Sequence, residues 1–215
     1  MYLSFFACII ALLPACAVAA PVAAPVLPPA GGVSLSSPVV DMEGSGCKQG
    51  DAHVVIARDN SAMTIILDNF QAADGPTAGK IKSRAFCRVT IGINSPGWAF
   101  DISSADFRGY VNLDTGAEAS LVSRWKYVDA NGVDLKGKGN IHKIVTGPFS
   151  NDFLLHKDGE LSGNEASVCQ KKDAKLAISL SATVTSNTAT ANGYVQGSSQ
   201  DFAFSQILNL SWRKC

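Results

Sequence analysis

From Cys47 onward, hydrophobic and polar positions alternate with a period of two, and turn-forming residues interrupt the alternation every ten or so positions. The clearest stretch is 86–93, where Cys87, Val89, Ile91 and Ile93 fall on one face and Phe86, Arg88 and Thr90 on the other. Successive side chains of a strand project to opposite faces, so Cys87 is predicted to point into a core. The turn Asn94-Ser95-Pro96-Gly97 leads into a second stretch in which Trp98, Phe100 and Ile102 alternate with Ala99, Asp101 and Ser103. Further strands are predicted at 53–57, 62–70, 107–113, 118–128, 141–146, 153–156, 176–184, 189–195 and 202–212. Asn131-Gly132 follows the strand at 118–128 and marks a hairpin, because a type I′ turn needs positive φ at both central residues. In the last strand, Leu208, Leu210 and Trp212 face inward while Asn209, Ser211 and Arg213 face outward. About ten short strands with almost no helical period predict an all-β fold, an antiparallel β-sandwich. A β-barrel is the alternative, because the pattern does not count sheets.

The amino-terminal part is different material. Residues 1–19 hold an apolar run from Tyr2 to Leu13 followed by small residues, the layout of a secretory signal peptide. Ala17-Val18-Ala19 is the expected cleavage pattern and Ala15-Cys16-Ala17 the second choice; either cut removes Cys8 and Cys16. The run is too short to span a bilayer comfortably, which predicts a secreted, extracellular protein without a membrane partner. Residues 20–46 carry Pro21, Pro25, Pro28, Pro29 and Pro38 between short apolar patches, with Gly31-Gly32 and serines among them. Such composition predicts an extended, disordered arm, leaving 47–215 as a single β domain.

Charge narrows the function classes. The chain has 18 Lys and Arg against 18 Asp and Glu, none of them in residues 1–19, so the secreted part is neutral overall. That argues against nucleic acid as a partner. Cys47, Cys87, Cys169 and Cys215 form an even set once the leader is removed, and four cysteines allow three pairings. Cys47 with Cys87 and Cys169 with Cys215 is the favoured pairing, each bridge closing a loop of similar size, and export favours oxidation. No C-x-x-C pair or Cys/His group has zinc spacing, so neither a metal nor another cofactor is expected.

The polar stretch from Asp101 to Asp114 threads Asp101, Asp106, Arg108 and Asp114 through apolar residues. Two carboxylates at glycosidase separation supply an acid and a base, which makes Asp101 and Asp106 the catalytic candidates of a small extracellular hydrolase. The simpler reading has Asp106 pairing with Arg108 and Asp114-Thr115-Gly116 forming a turn. Trp98, Trp125, Tyr110, Tyr127 and Tyr194 offer flat faces for sugar rings, against a competing core role for Trp98, Trp125 and Tyr127. His53, His142 and His156 stand isolated. Asn209-Leu210-Ser211 is an N-glycosylation acceptor, with Asn209 on the face opposite Leu208 and Leu210.

Gly46-Cys47, the segment from Ala62 to Ala72, Gly75-Pro76, Ser83-Arg84-Ala85-Phe86-Cys87, the segment from Asp101 to Asp114, Thr146-Gly147-Pro148-Phe149 and Trp212-Arg213-Lys214-Cys215 together carry a resemblance. The chain resembles the secreted fungal family known as domain of unknown function 4360 over essentially everything after Gly44. The resemblance implies secretion, a disulfide-bonded β domain and a fungal source. The family tends to carry Asn before the second cysteine, where this chain has Phe86. The resulting expectation is a non-catalytic secreted β-sandwich that binds a polysaccharide or a host protein, at the fungal wall or at a host surface.

Overall fold

The computed structural model describes residues 27–30, 32–48, 50–159, 174–197 and 204–215. The signal peptide expected at 1–19 lies outside them.

Among the described residues, twelve strands form two antiparallel sheets. In chain order they are β1 (Ser34–Glu43), β2 (Ala52–Ile56), β3 (Ala62–Leu67), β4 (Ala72–Asp74), β5 (Arg84–Asn94), β6 (Trp98–Leu113), β7 (Ala117–Val128), β8 (Asp134–Thr146), β9 (Phe149–Asp158), β10 (Lys175–Ser186), β11 (Gly193–Gln196) and β12 (Phe204–Lys214). The first sheet has the order β1-β5-β10-β7-β8; the second runs β2-β3-β12-β6-β11-β4, with β9 on the other edge of β6. Two sheets packed face to face make this a β-sandwich, not a barrel.

Alternation builds the core. On β10, Leu176, Ile178, Leu180, Ala182 and Val184 are buried, and Ala119, Leu121, Trp125 and Tyr127 continue the same inner face on β7. The facing sheet contributes Phe107, Phe204 and Leu208 with Met63, Ile65 and Leu67. Phe204 stacks edge-on against Phe70 at 4.8 Å, and Phe107 meets Phe153 at 5.6 Å. Each such aromatic or aliphatic side chain contributes roughly 1.5–3 kcal/mol on leaving water.

Besides the unpredicted strand β4 and the earlier starts of β8 and β9, three features depart from the sequence-based expectation. Strand β1 lies inside the stretch whose composition predicts a disordered arm, so strand structure begins at Ser34, ahead of Cys47. Its register on β5 slips between Leu35 and Val40, an interval containing Pro38. A residue without an N–H is tolerated at such an irregularity of an edge strand, which composition alone does not show. Second, the predicted strands at 98–103 and 107–113 are one 16-residue strand, β6. Third, Gly132 has positive φ in the β7–β8 connection, and Asn131 is not among the positive-φ residues. The Asp129 carboxylate organises this loop by accepting the amides of Asn131 and Val133.

The Cys47–Cys87 disulfide is present, with Cys87 fully buried on the inner face of β5 as the alternation predicts. Cys215 is also disulfide-bonded. Cys169 lies outside the described residues, so its pairing with Cys215 stays a proposal.

Candidate functional site

The outer face of the first sheet carries a groove, and the residue sizes on three adjacent strands explain it. Outward positions on the central strand β10 are small: Ala177, Ser179, Ser181 and Thr183. Long side chains flank part of this row, Arg84, Phe86 and Arg88 on one side and Arg124 and Lys126 on the other. Thr90, Arg88, Phe86 and Arg84 of β5 stand opposite that row on one side, and Lys126, Arg124, Val122 and Ser120 of β7 on the other. Short residues between long ones make a trough along β10, with β8 extending its wall through Lys138 and Asn140, the cross-strand partners of Lys126 and Arg124.

The cavity is about 610 Å³, within the range usual for ligand sites. It is lined by Phe86, Arg88, Arg124, Lys126, Ala177 and Ser179, and continues past Gly139 to Lys157 and Asp158 of β9. Lys157 closes that end by donating from Nζ to Asn140 Oδ1 at 3.3 Å. Phe86 stands half-buried in the β5 wall, with the guanidinium groups of Arg84 and Arg88 5.9 and 5.8 Å from its ring centre. Both cations sit two residues from Phe86 on the same strand face, which is the spacing that lets them reach the ring. Trp125 is turned to the interior, its indole lying where a Cβ on Gly139 would stand, and it also borders the cavity beside Gly139.

Asp101 and Asp106 lie elsewhere, on the outer face of the second sheet. Five residues apart, they would face opposite ways on a regular strand. A β-bulge prevents this: Ile102 pairs with Leu210 and Ser104 with Asn209, leaving Ser103 as the extra residue. The inward set therefore switches from Phe100 and Ile102 to Ala105 and Phe107, and both aspartates end on the outer side. They are not brought together. Asp101 stands opposite Ser211 and Asp106 opposite Ile207, about 13 Å apart at the rise of a strand, whereas paired glycosidase carboxylates stand about 5–9.5 Å apart. Asp101 pairs with Arg213 at 3.6 Å, and Asp106 with His156 at 2.6 Å and Arg108 at 3.9 Å.

His156, isolated in sequence, is thus held between two carboxylates, with Nδ1 at Asp106 and Nε2 3.3 Å from Asp158. Its pKa is raised, first by the hydrogen bond to Asp106 and then by that to Asp158. An imidazolium donates from both nitrogens, so this arrangement favours a fixed cation over a general base. The pairing of His156 with Asp106 across β6 and β9 was not legible before the strands were placed.

Of the aromatic candidates, Trp125 and Tyr127 are core residues, and Tyr127 donates its hydroxyl to the Phe100 carbonyl at 2.9 Å. Tyr110 and Tyr194 form a pair with centroids 5.9 Å apart on the outer side of the second sheet, and Tyr110 shares a hydrogen bond with Ser150. Burial, and then the neighbouring Tyr110, raise the pKa of Tyr194. Asn209 faces outward on β12 and donates to Ser104 Oγ at 2.8 Å. Among the described residues no cluster of His, Cys, Asp and Glu could hold a metal ion.

A model of the family described as domain of unknown function DUF4360 matches residues 34–215. An uncharacterized secreted protein of Arthroderma benhamiae is 29% identical over 178 residues, covering 80% of this chain and 68% of that protein. Among solved structures, the TmCBM61 module in complex with β-1,4-galactotriose superposes with a TM-score of 0.25 at 12% identity, over 83% of this chain and 90% of that one. The CBM22-1 xylan-binding domain of Paenibacillus barcinonensis Xyn10C gives 0.25 at 14% identity, over 84% and 86%. The enzymatically active domain of bacteriophage CBA120 tailspike protein 4 gives 0.26 at 11% identity, over 82% of this chain but 19% of that one.

Proposed function

This secreted chain belongs to the DUF4360 family, and from that premise we propose that it is a non-catalytic β-sandwich that binds an extracellular polysaccharide in the groove along β10. The observation that carries this reading is the trough itself. Small hydroxyl-bearing and apolar residues form its floor, an aromatic ring stands in one wall, and hydrogen-bond donors lie along both sides. Sugars ask for this combination: a flat apolar face for the ring and fixed donors for its oxygens. The groove is built on the rigid strands of a sheet, so binding orders little backbone.

Asp101 and Asp106 support the hydrolase alternative less well, since separate partners hold them far apart. A glycan on Asn209 would rest on the second sheet and leave the groove open. The test is co-sedimentation of the purified secreted protein with insoluble chitin, β-glucan and cellulose, together with affinity electrophoresis in soluble neutral and carboxylated polysaccharides. Retention that disappears in Phe86→Ala supports the reading. Absence of retention on every polysaccharide ends it and leaves a host protein as the partner to seek.

A further inference from the structure

We propose that the groove selects a polyanionic polysaccharide, one whose sugar units carry carboxylates, over neutral glycans; this rests on the polysaccharide-binding reading and narrows its ligand class.

The argument is charge placement. The chain is neutral overall, yet Arg88, Arg124, Lys126, Lys138 and Lys157 all line this one cavity, with Asp158 the acidic residue among the described lining. Asp158 is engaged by His156 at its own end of the groove, and Asp134 neutralises Lys126. Arg88, Arg124 and Lys138 are exposed, and no hydrogen bond or ion pair within the described residues engages Arg124. A concave site lined by five cations against one carboxylate raises the local concentration of anions there.

Geometry favours carboxylates on a chain over a point anion. Arg88 and Arg124 are both opposite Ser179, two strand spacings apart, or about 9.6 Å, so they face each other across the floor. Lys138, the cross-strand partner of the already paired Lys126, adds a cation in the next row along the trough. The cations therefore follow the groove in successive rows, as the charges of an extended polymer do, and do not converge on a single centre. Guanidinium groups present planar forks that match carboxylates with two parallel hydrogen bonds. Phe86 adds an apolar face beside them, which a sugar ring can cover while its carboxylate reaches an arginine.

The experiment measures binding of the full secreted protein by calorimetry to oligogalacturonate, to the same oligomer methyl-esterified, to a neutral β-glucan oligomer and to a single-stranded RNA homopolymer. The expected result is binding to oligogalacturonate that weakens on going from about 0.1 M to about 1 M salt, where the screening length falls from about 10 Å to about 3 Å. Arg88→Gln and Arg124→Gln should each weaken it by about tenfold or more, as loss of a charged hydrogen bond does. Thermal unfolding of Arg124→Gln should match the parent, since that side chain is exposed. Equal affinity for the methyl ester or the neutral glucan overturns the charge selection while leaving the polysaccharide reading standing. Equal affinity for the RNA overturns the selection too. Binding to none of the glycans overturns both.

Discussion

Arg88 and Arg124 occupy one row of the first sheet, on the two strands that flank β10, and the residue between them is Ser179. The groove exists because that middle residue is small. Ser179→Phe should fill the trough and abolish glycan binding, while unfolding midpoints change little because the position faces outward. Calorimetry and a thermal melt on the same sample check this. Retained affinity would place the ligand elsewhere on the molecule.

The Cys47–Cys87 bridge closes a loop with a sequence separation of 40. In the chain-entropy account a loop of this length stabilises by about 4 kcal/mol, and removing a native bridge from a small secreted domain costs about 2–5 kcal/mol. The double variant Cys47→Ala/Cys87→Ala should lose stability in that range. Urea denaturation of the two proteins gives the difference.

Gln206 is fully buried on the inner face of β12, and neither amide atom has a hydrogen-bond partner among the described residues. An unpartnered buried amide costs about 1–3 kcal/mol. Replacing it with an apolar chain of similar length, Gln206→Met, should raise stability by about 1 kcal/mol or more. A lower unfolding midpoint for the variant would show that the amide is satisfied inside the sandwich after all.

His156 gains its partners Asp106 and Asp158 only on folding, and its pKa is raised by them. A raised folded-state pKa means that the protonated form binds the native state better. The stabilisation is complete below the ordinary histidine pKa of about 6.5 and disappears as pH climbs through the folded value above it. Unfolding temperatures of the parent should therefore fall relative to His156→Gln across that window. The ring is solvent-exposed, so the effect should shrink with salt. Parallel curves for the two proteins would contradict it.

The strand content was legible in the sequence because a period of two has one cause, a sheet with one face in a core. Cys87, Val89 and Ile91 announced their inward direction, and Leu208, Leu210 and Trp212 did the same for β12. Even cysteine parity from Cys47 onward and the apolar run from Tyr2 to Leu13 spoke for export, and the quoted motifs for the family. The sequence alone could not decide pairings, because neighbours across a sheet are distant along the chain. His156 meets Asp106 fifty positions away through the β6–β9 register, and Arg88, Ser179 and Arg124 come from strands widely separated in sequence. Nor could alternation foresee the bulge at Ser103, where one extra residue turns Asp106 to the side that Asp101 faces. Periodicity is a local property, and it told each residue in or out; register and strand order are set by packing, and they decided which outward residues share a groove.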